Sequence, residues 1–181
     1  ISSVGLNVKT YGSARDFLDD FDPAQRGCLI VDVRMPEMSG LELQEKLNEL
    51  HASLPVIVIT GYGDVSMAVR AMRAGAIDFV EKPFNDQSLL DRIHQALGQD
   101  EAQRKRSQMR QDVQHKLTML TGREKQILEL VTEGLSNKQI ADQLNLSERT
   151  VEVHRAKVMS KMDAKNVAEL VRMTLLSNES V

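Results

Sequence analysis

"GCLIVDVRMPEMSG", residues 27–40, decides how this chain is read. Cys28 to Val31 form an unbroken apolar run of strand length, the pattern of a parallel-sheet strand buried on both faces, and the run stops at a carboxylate, Asp32. A loop holding Pro36 follows, and then Ser39 with Glu42 three residues on, a capping box in front of "LELQEKL". The stretch is therefore a strand, an acid, a loop and the start of a helix.

The pattern continues to either side. Residues 8–11, 56–60 ("VIVIT") and 77–80 read as further strands, and residues 14–20, 41–50, 65–74 and 86–97 as helices, with Gly75 as a left-handed helix stop. Strands alternating with helices predict a parallel sheet covered on both faces. Ligands of such a sheet bind beyond the carboxyl ends of its strands. Three residues meet that condition: Asp32, Thr60 28 positions later, and Lys82 50 positions after Asp32. Each alone is an ordinary turn or surface residue. Together they offer an oxygen nucleophile, a hydroxyl donor and a neutralising cation, a set suited to a phosphoryl group.

Composition limits the alternatives. With 181 residues, 41% of them hydrophobic, the chain can bury one good core or two small ones. Its lone cysteine, Cys28, sits in a strand and reads as a small buried hydrophobe, which excludes both a disulfide and a cysteine metal site. No apolar stretch is long enough to span a bilayer, and "ISSVGLNVKTYG" has neither a basic start nor an apolar signal core, so a cytoplasmic protein with no membrane partner is expected. Residues 1–98 carry 9 Lys and Arg against 14 Asp and Glu, and residues 99–181 carry 14 against 12. The second half is where nucleic acid would bind. Between the two, residues 99–117 are polar, rich in helix formers and free of proline, which predicts a helical linker carrying a narrow stripe of Met109, Val113, Leu117 and Leu120.

Through "IVDVRMPEMSGLEL", "VIVITGYGD", "AMRAGAIDFVEKPF" and the spacing of Asp32, Thr60 and Lys82, the first half resembles the receiver domain of two-component response regulators, a flavodoxin-like fold. The resemblance implies that Asp32 takes a phosphoryl group from a sensor histidine kinase and that Thr60 and Lys82 bind it. It also implies a cis Lys82–Pro83 peptide and a Phe79 ring that turns when Thr60 moves. Receivers hold Mg²⁺ with an acidic pair at the end of a first strand, with the phosphoacceptor and with a backbone carbonyl. Of these, only Asp32 and the Arg34 carbonyl are found here. "ISSVG" reads as the tail of the first helix, stopped by Gly5, so residues 1–98 are expected to be a receiver shortened at its N-terminus, in a fragment of a longer chain.

Residues 118–181 differ in kind. "TGRE", "SNKQ" and "NVAE" each place a cap three residues before Glu or Gln, and Ser147 caps "ERTVEVHRAKVMSKM", giving four short helices. Three residues, 145–147, separate the helices at 137–144 and 148–162, the spacing of a helix-turn-helix. At about 100° per residue Val151, Val158 and Met162 fall on the buried stripe of the longer helix, and Thr150, Val153, Lys157, Ser160 and Lys161 on the opposite side. Donors, cations and one apolar contact suit a major groove. His154 and Arg155 fall nearer the buried side, and Arg155 is expected to pair with Glu124.

This half resembles the LuxR-type output domain, which adds Asn137 and Lys138 as backbone contacts and His154 to the DNA-binding set. Both halves together resemble the NarL/FixJ class, with the receiver closest to its FixJ branch. The implied protein is a bacterial, non-enzymatic transcription regulator that dimerises on phosphorylation and binds a promoter inverted repeat, with RNA polymerase as a further partner. One rival is a phosphatase of the haloacid dehalogenase type, which needs an acid where this chain has Arg34. The other is a DNA binder without phosphate control.

Overall fold

The computed structural model describes residues 4–63 and 65–178, which divide into two compact units, one running to Arg104 and one starting at Lys105. The expected helix tail at residues 1–3 lies outside the described residues, while Gly5 has the left-handed φ of 81° expected of a stop.

The first unit is built on strands β1 (Leu29–Asp32), β2 (Val56–Thr60) and β3 (Asp78–Glu81), all parallel and in the order β1-β2-β3. Helices α1 (Ala14–Asp20), α2 (Gly40–Glu49) and α3 (Val65–Arg73) precede or join the strands, and α4 (Asp86–Thr118) follows them. Side chains alternate across the sheet because strand residues point to opposite faces in turn. Val31, Val56 and Val58 meet Phe17 of α1, Leu43 and Leu47 of α2 and Ala71 of α3 in one cluster. Ile57 and Val80 meet Leu89, Ile93 and Ala96 of α4 in another. Ser39 caps α2 by the expected box with Glu42.

Two readings are corrected here. Residues 8–11 form no strand: no strand lies on the free side of β1 among the described residues, so their backbone has no ladder to join. For the same reason β1 is not buried on both faces. Only Val31 of its four residues is buried, and the enclosed strand is β2, which has a neighbour on each side.

Helix α4 runs 33 residues without a break. Asn85 starts it by accepting hydrogen bonds from the backbone N–H groups of Gln87 and Ser88. The stop expected at residue 97 does not occur, since the cost of Gly98, about 1 kcal/mol, is small against a long run of good helix formers. The linker is therefore helix throughout. Inside the first unit, buried Asp100 accepts from the Gly27 N–H and pairs with Arg104, whose guanidinium also donates to the Ala24 and Gln25 carbonyls. Val113 and Leu120 of the predicted stripe are buried in the second unit and Leu117 is partly so, but Met109 stands exposed.

The second unit adds α5 (Gly122–Thr132), α6 (Asn137–Leu144), α7 (Glu148–Met162) and α8 (Val167–Asn178). Thr121 and Ser136 form capping boxes, and Ser147 caps α7. At α8 the box is displaced by one residue: Asn166 accepts from the Glu169 N–H, but the Glu169 carboxylate reaches the Lys165 N–H. Val151, Val158 and Met162 of α7 pack as predicted against Ile127, Ile140 and Leu170. Between α6 and α7 the chain reverses through Asn145 at a φ of 52°, a left-handed position that Asn tolerates. None of the described helices is long and apolar enough to cross a membrane.

Candidate phosphoacceptor site and nucleic-acid interface

Parallel pairing brings Asp32, Thr60 and Lys82 to one edge of the sheet. β1 ends on Asp32 and β2 on Thr60, while Lys82 follows β3 and its N–H donates to the Thr60 carbonyl, continuing the ladder by one rung. The Lys82 ammonium lies 2.6 Å from Asp32 Oδ2, and the Arg34 N–H donates to Oδ1 at 2.9 Å. Partial burial pushes the Asp32 pKa up, but the hydrogen bonds from Lys82 and Arg34, with the charges of both, outweigh it and hold the carboxyl below the usual range. Asp32 thus presents an ionised carboxylate with a cation already beside it. Its side chain keeps 30% of its surface open to solvent, so a phosphoryl donor can reach it.

Thr60 is fully buried, and its hydroxyl accepts from the Tyr62 N–H at 3.3 Å while keeping its own proton to give. Phe79 is half-buried beside it. A Cβ on Gly63 would stand 2.9 Å from the Phe79 ring and 3.0 Å from Thr60 Cγ2, so Gly63 leaves room for the ring and the Thr60 side chain alike. The Lys82–Pro83 peptide is cis. The sequence did not reveal that the Arg34 guanidinium lies over the Tyr62 ring, 5.0 Å from its centroid, joining the loops after β1 and β2.

Receivers use Mg²⁺ in phosphoryl transfer, and of the described residues at this edge Asp32 with its carboxylate and Arg34 with its carbonyl would hold it. Among the described residues no three His, Cys, Asp or Glu side chains come together as a metal site. The Asp32 carboxylate is already engaged by Lys82 and by the Arg34 N–H. A small cation that demands octahedral oxygen ligation would have to share Oδ1 and Oδ2 with both.

In the second unit Lys138, Val153 and Lys157 are exposed as expected. Thr150 is half-buried, with its hydroxyl bonded to that of Ser147 at 2.8 Å. His154 turns its Nδ1 into the interior without a hydrogen-bond partner, so only part of the ring faces outward. Two expectations are corrected. Lys161 does not project to solvent: its ammonium lies 2.7 Å from Glu124 Oε2 and 3.1 Å from the Met119 carbonyl. It sits at the margin of the outer face, and its flexible stem lets the head swing inward to a buried carboxylate. Arg155 accordingly does not pair with Glu124 but donates to Asn137 Oδ1 at 2.6 Å.

The Glu124–Lys161 pair has a pH signature. The hydrogen bond from Lys161, and then that from the Thr121 N–H, hold the Glu124 carboxyl down at about 2, from an ordinary value of 4.5. A depressed folded-state pKa stabilises the fold fully above the unfolded value and loses that contribution as pH falls through the folded one. The thermal midpoint of the second unit should therefore drop by several degrees between pH 5 and pH 2, and less steeply in Glu124→Gln. Calorimetry across that range checks it, and parallel curves for the two proteins would refute it.

Fold and site together describe a protein of two parts, with Asp, Thr and Lys side chains at the edge of a parallel sheet on one unit and a helix-turn-helix on the other. Comparison with known proteins agrees for both units. The "Response regulator receiver domain" family matches residues 1–94, and "Bacterial regulatory proteins, luxR family" matches residues 118–174. The transcriptional regulatory protein FixJ of Azorhizobium caulinodans is 48% identical over 98% of this chain and 84% of its own. The response regulator protein TmoT of Ectopseudomonas mendocina is 47% identical over 96% of this chain and 79% of its own. Among solved structures, the response regulator StyR matches with a TM-score of 0.84 at 44% identity, covering 96% of this chain and 88% of that one. The chain belongs to the NarL/FixJ class of two-component response regulators, a family of DNA-binding transcription regulators.

Proposed function

We propose that Asp32 is the phosphoacceptor of this regulator, that a sensor histidine kinase supplies its phosphoryl group, and that phosphorylation promotes dimerisation and binding to a promoter inverted repeat. The observation that carries this reading is the 2.6 Å approach of Lys82 to Asp32 at the sheet edge, with Thr60 on the adjoining strand. Attack by a carboxylate oxygen of Asp32 on the phosphorus of a phosphohistidine forms the acyl phosphate and releases the imidazole. Lys82 offsets the added charge, and the Thr60 hydroxyl donates to a phosphoryl oxygen.

Movement of Thr60 alters the space that Phe79 occupies, and so the surface around α3. Tyr62, Val65, Val69 and Met72 stand exposed there, an apolar patch suited to a second copy of the chain. A coupling of roughly 1–3 kcal/mol between phosphate and dimer amounts to about a 5–150-fold gain in association. Sedimentation of the acetyl-phosphate-treated protein, beside its DNA affinity, tests this. A phosphorylated protein that stays monomeric at micromolar concentration and binds DNA no better would sink it.

For the DNA half, α7 lies in the major groove, with Val153 and Lys157 on its outer face, Thr150 and His154 beside them, and Asn137 and Lys138 of α6 at the backbone. Lys157→Ala should weaken binding to specific and random duplexes alike and flatten the salt dependence by about 0.9, one released counterion. Val153→Ala should leave that slope alone and change the preference at particular base pairs. Lys161→Ala should destabilise the unit and not flatten the slope. Titrations at several salt concentrations decide all three, and an unaltered slope for Lys157→Ala removes this face from the DNA.

A further inference from the structure

We infer that Arg155 is a positioning residue for DNA binding: it fixes the Asn137 side chain so that its amide NH₂ faces a backbone phosphate. The inference rests on the reading of α6 and α7 just given and assigns Arg155 a role in it.

Asn137 is the first residue of α6, after the Ser136 cap. The first N–H groups of any helix have no intrahelical partner, and Ser136 Oγ satisfies only that of Gln139. The N–H groups of Asn137 and Lys138 are left pointing out of the N-terminal end of the helix, with the Lys138 side chain exposed nearby. An asparagine amide carries one acceptor and two donors, and it can present either end. Arg155, from the middle of α7, decides which. A guanidinium has only donors, so the atom it meets at 2.6 Å must be the amide oxygen. The NH₂ is thereby left as the end available to a ligand.

Both partners are half-buried, which strengthens the bond and limits alternative rotamers. Beyond the Ser136–Gln139 box, which is satisfied within itself, the start of α6 presents donors and positive charge: two backbone N–H groups, the Asn137 NH₂, the Lys138 ammonium and the guanidinium behind it. That chemistry takes a phosphodiester oxygen. Since Arg155 belongs to α7 and Asn137 to α6, the bond also ties the phosphate contact to the helix whose outer face carries Val153 and Lys157.

A double-mutant cycle tests this on the full chain, with a random-sequence duplex as the probe and salt titrations for Asn137→Ala, Arg155→Met and the double variant. Each is assayed well below its own thermal midpoint. Asn137→Ala should weaken binding roughly tenfold, the size of one hydrogen bond to a charged group. Arg155→Met should cost about the same, and the double variant no more than either single one. Arg155→Lys, which retains a donor for Oδ1, should recover most of the loss and guards against a misfolded Met variant. Losses that multiply in the double variant would show that Arg155 meets phosphate by itself and would overturn the proposal, as would an Asn137→Ala protein that binds like the wild type. Lys157→Ala serves as the control. If it flattens the slope while the cycle is additive, only the role of Arg155 fails; if its slope is unaltered, the reading of α7 fails and the inference with it.

Discussion

Asp32→Asn protein incubated with acetyl phosphate should acquire no phosphoryl group, while the wild type gains one. The amide keeps the shape of the carboxylate but has no anionic oxygen with which to attack phosphorus, so the loss is complete and not graded. Folding should hardly change. The Asp32–Lys82 pair keeps 30% and 42% of its side-chain surface exposed, and ion pairs so placed contribute less than about 1 kcal/mol. Intact-protein mass after treatment, beside a thermal melt, separates the two effects. Phosphate retained on the variant would move the phosphoacceptor elsewhere, and an unfolded variant would show that Asp32 has a structural role that its exposure does not suggest.

Gly40→Ala is the second large effect. A Cβ at Gly40 would stand 2.3 Å from the Asp32 carbonyl oxygen, 2.9 Å from Val31 Cγ2 and 3.0 Å from the Asp32 carbonyl carbon. No rotamer change relieves a clash with backbone, so either the start of α2 or the end of β1 must shift. Overpacking that side chains can absorb costs about 1–3 kcal/mol, and this case belongs at or above the top of that range. At roughly 4–8 °C per kcal/mol for a unit of this size, the melting point should fall by more than about 10 °C. The phosphorylation rate should fall too, because the displaced backbone is that of Asp32. Gly98→Ala is the matched control: nothing lies within 4 Å of a Cβ there, and in α4 the change should stabilise by up to about 1 kcal/mol. Equal melting points for the two variants would count against this account.

Which parts of the molecule were legible in its sequence follows from the range of the signals. Capping pairs such as Ser39–Glu42 and Thr121–Glu124 are local, and they marked helix starts closely. The meeting of Asp32, Thr60 and Lys82 at one edge was legible because a parallel sheet brings the ends of its strands together, so three positions sufficed. What failed depended on partners. Residues 8–11 have the composition of a strand but no neighbouring ladder among the described residues, and the helix read over 86–97 runs on past Gly98 because good helix formers follow it. On α7 the wheel placed Val151, Val158 and Met162 well, yet it misjudged Lys161 and Arg155, because a long side chain can leave the face from which it starts. The close approach at Gly40 leaves no mark in the sequence at all.

The place of Thr60 on β2 governs how the first unit breathes around it. β2 is hydrogen-bonded on both sides and buried between two clusters, so its amides exchange with solvent only when the whole unit unfolds. Thr60, fully buried at the end of that strand, is therefore rooted in backbone held from both sides. A change at its hydroxyl meets a nearly fixed reference, and adjustment falls to the loops and helices outside β2.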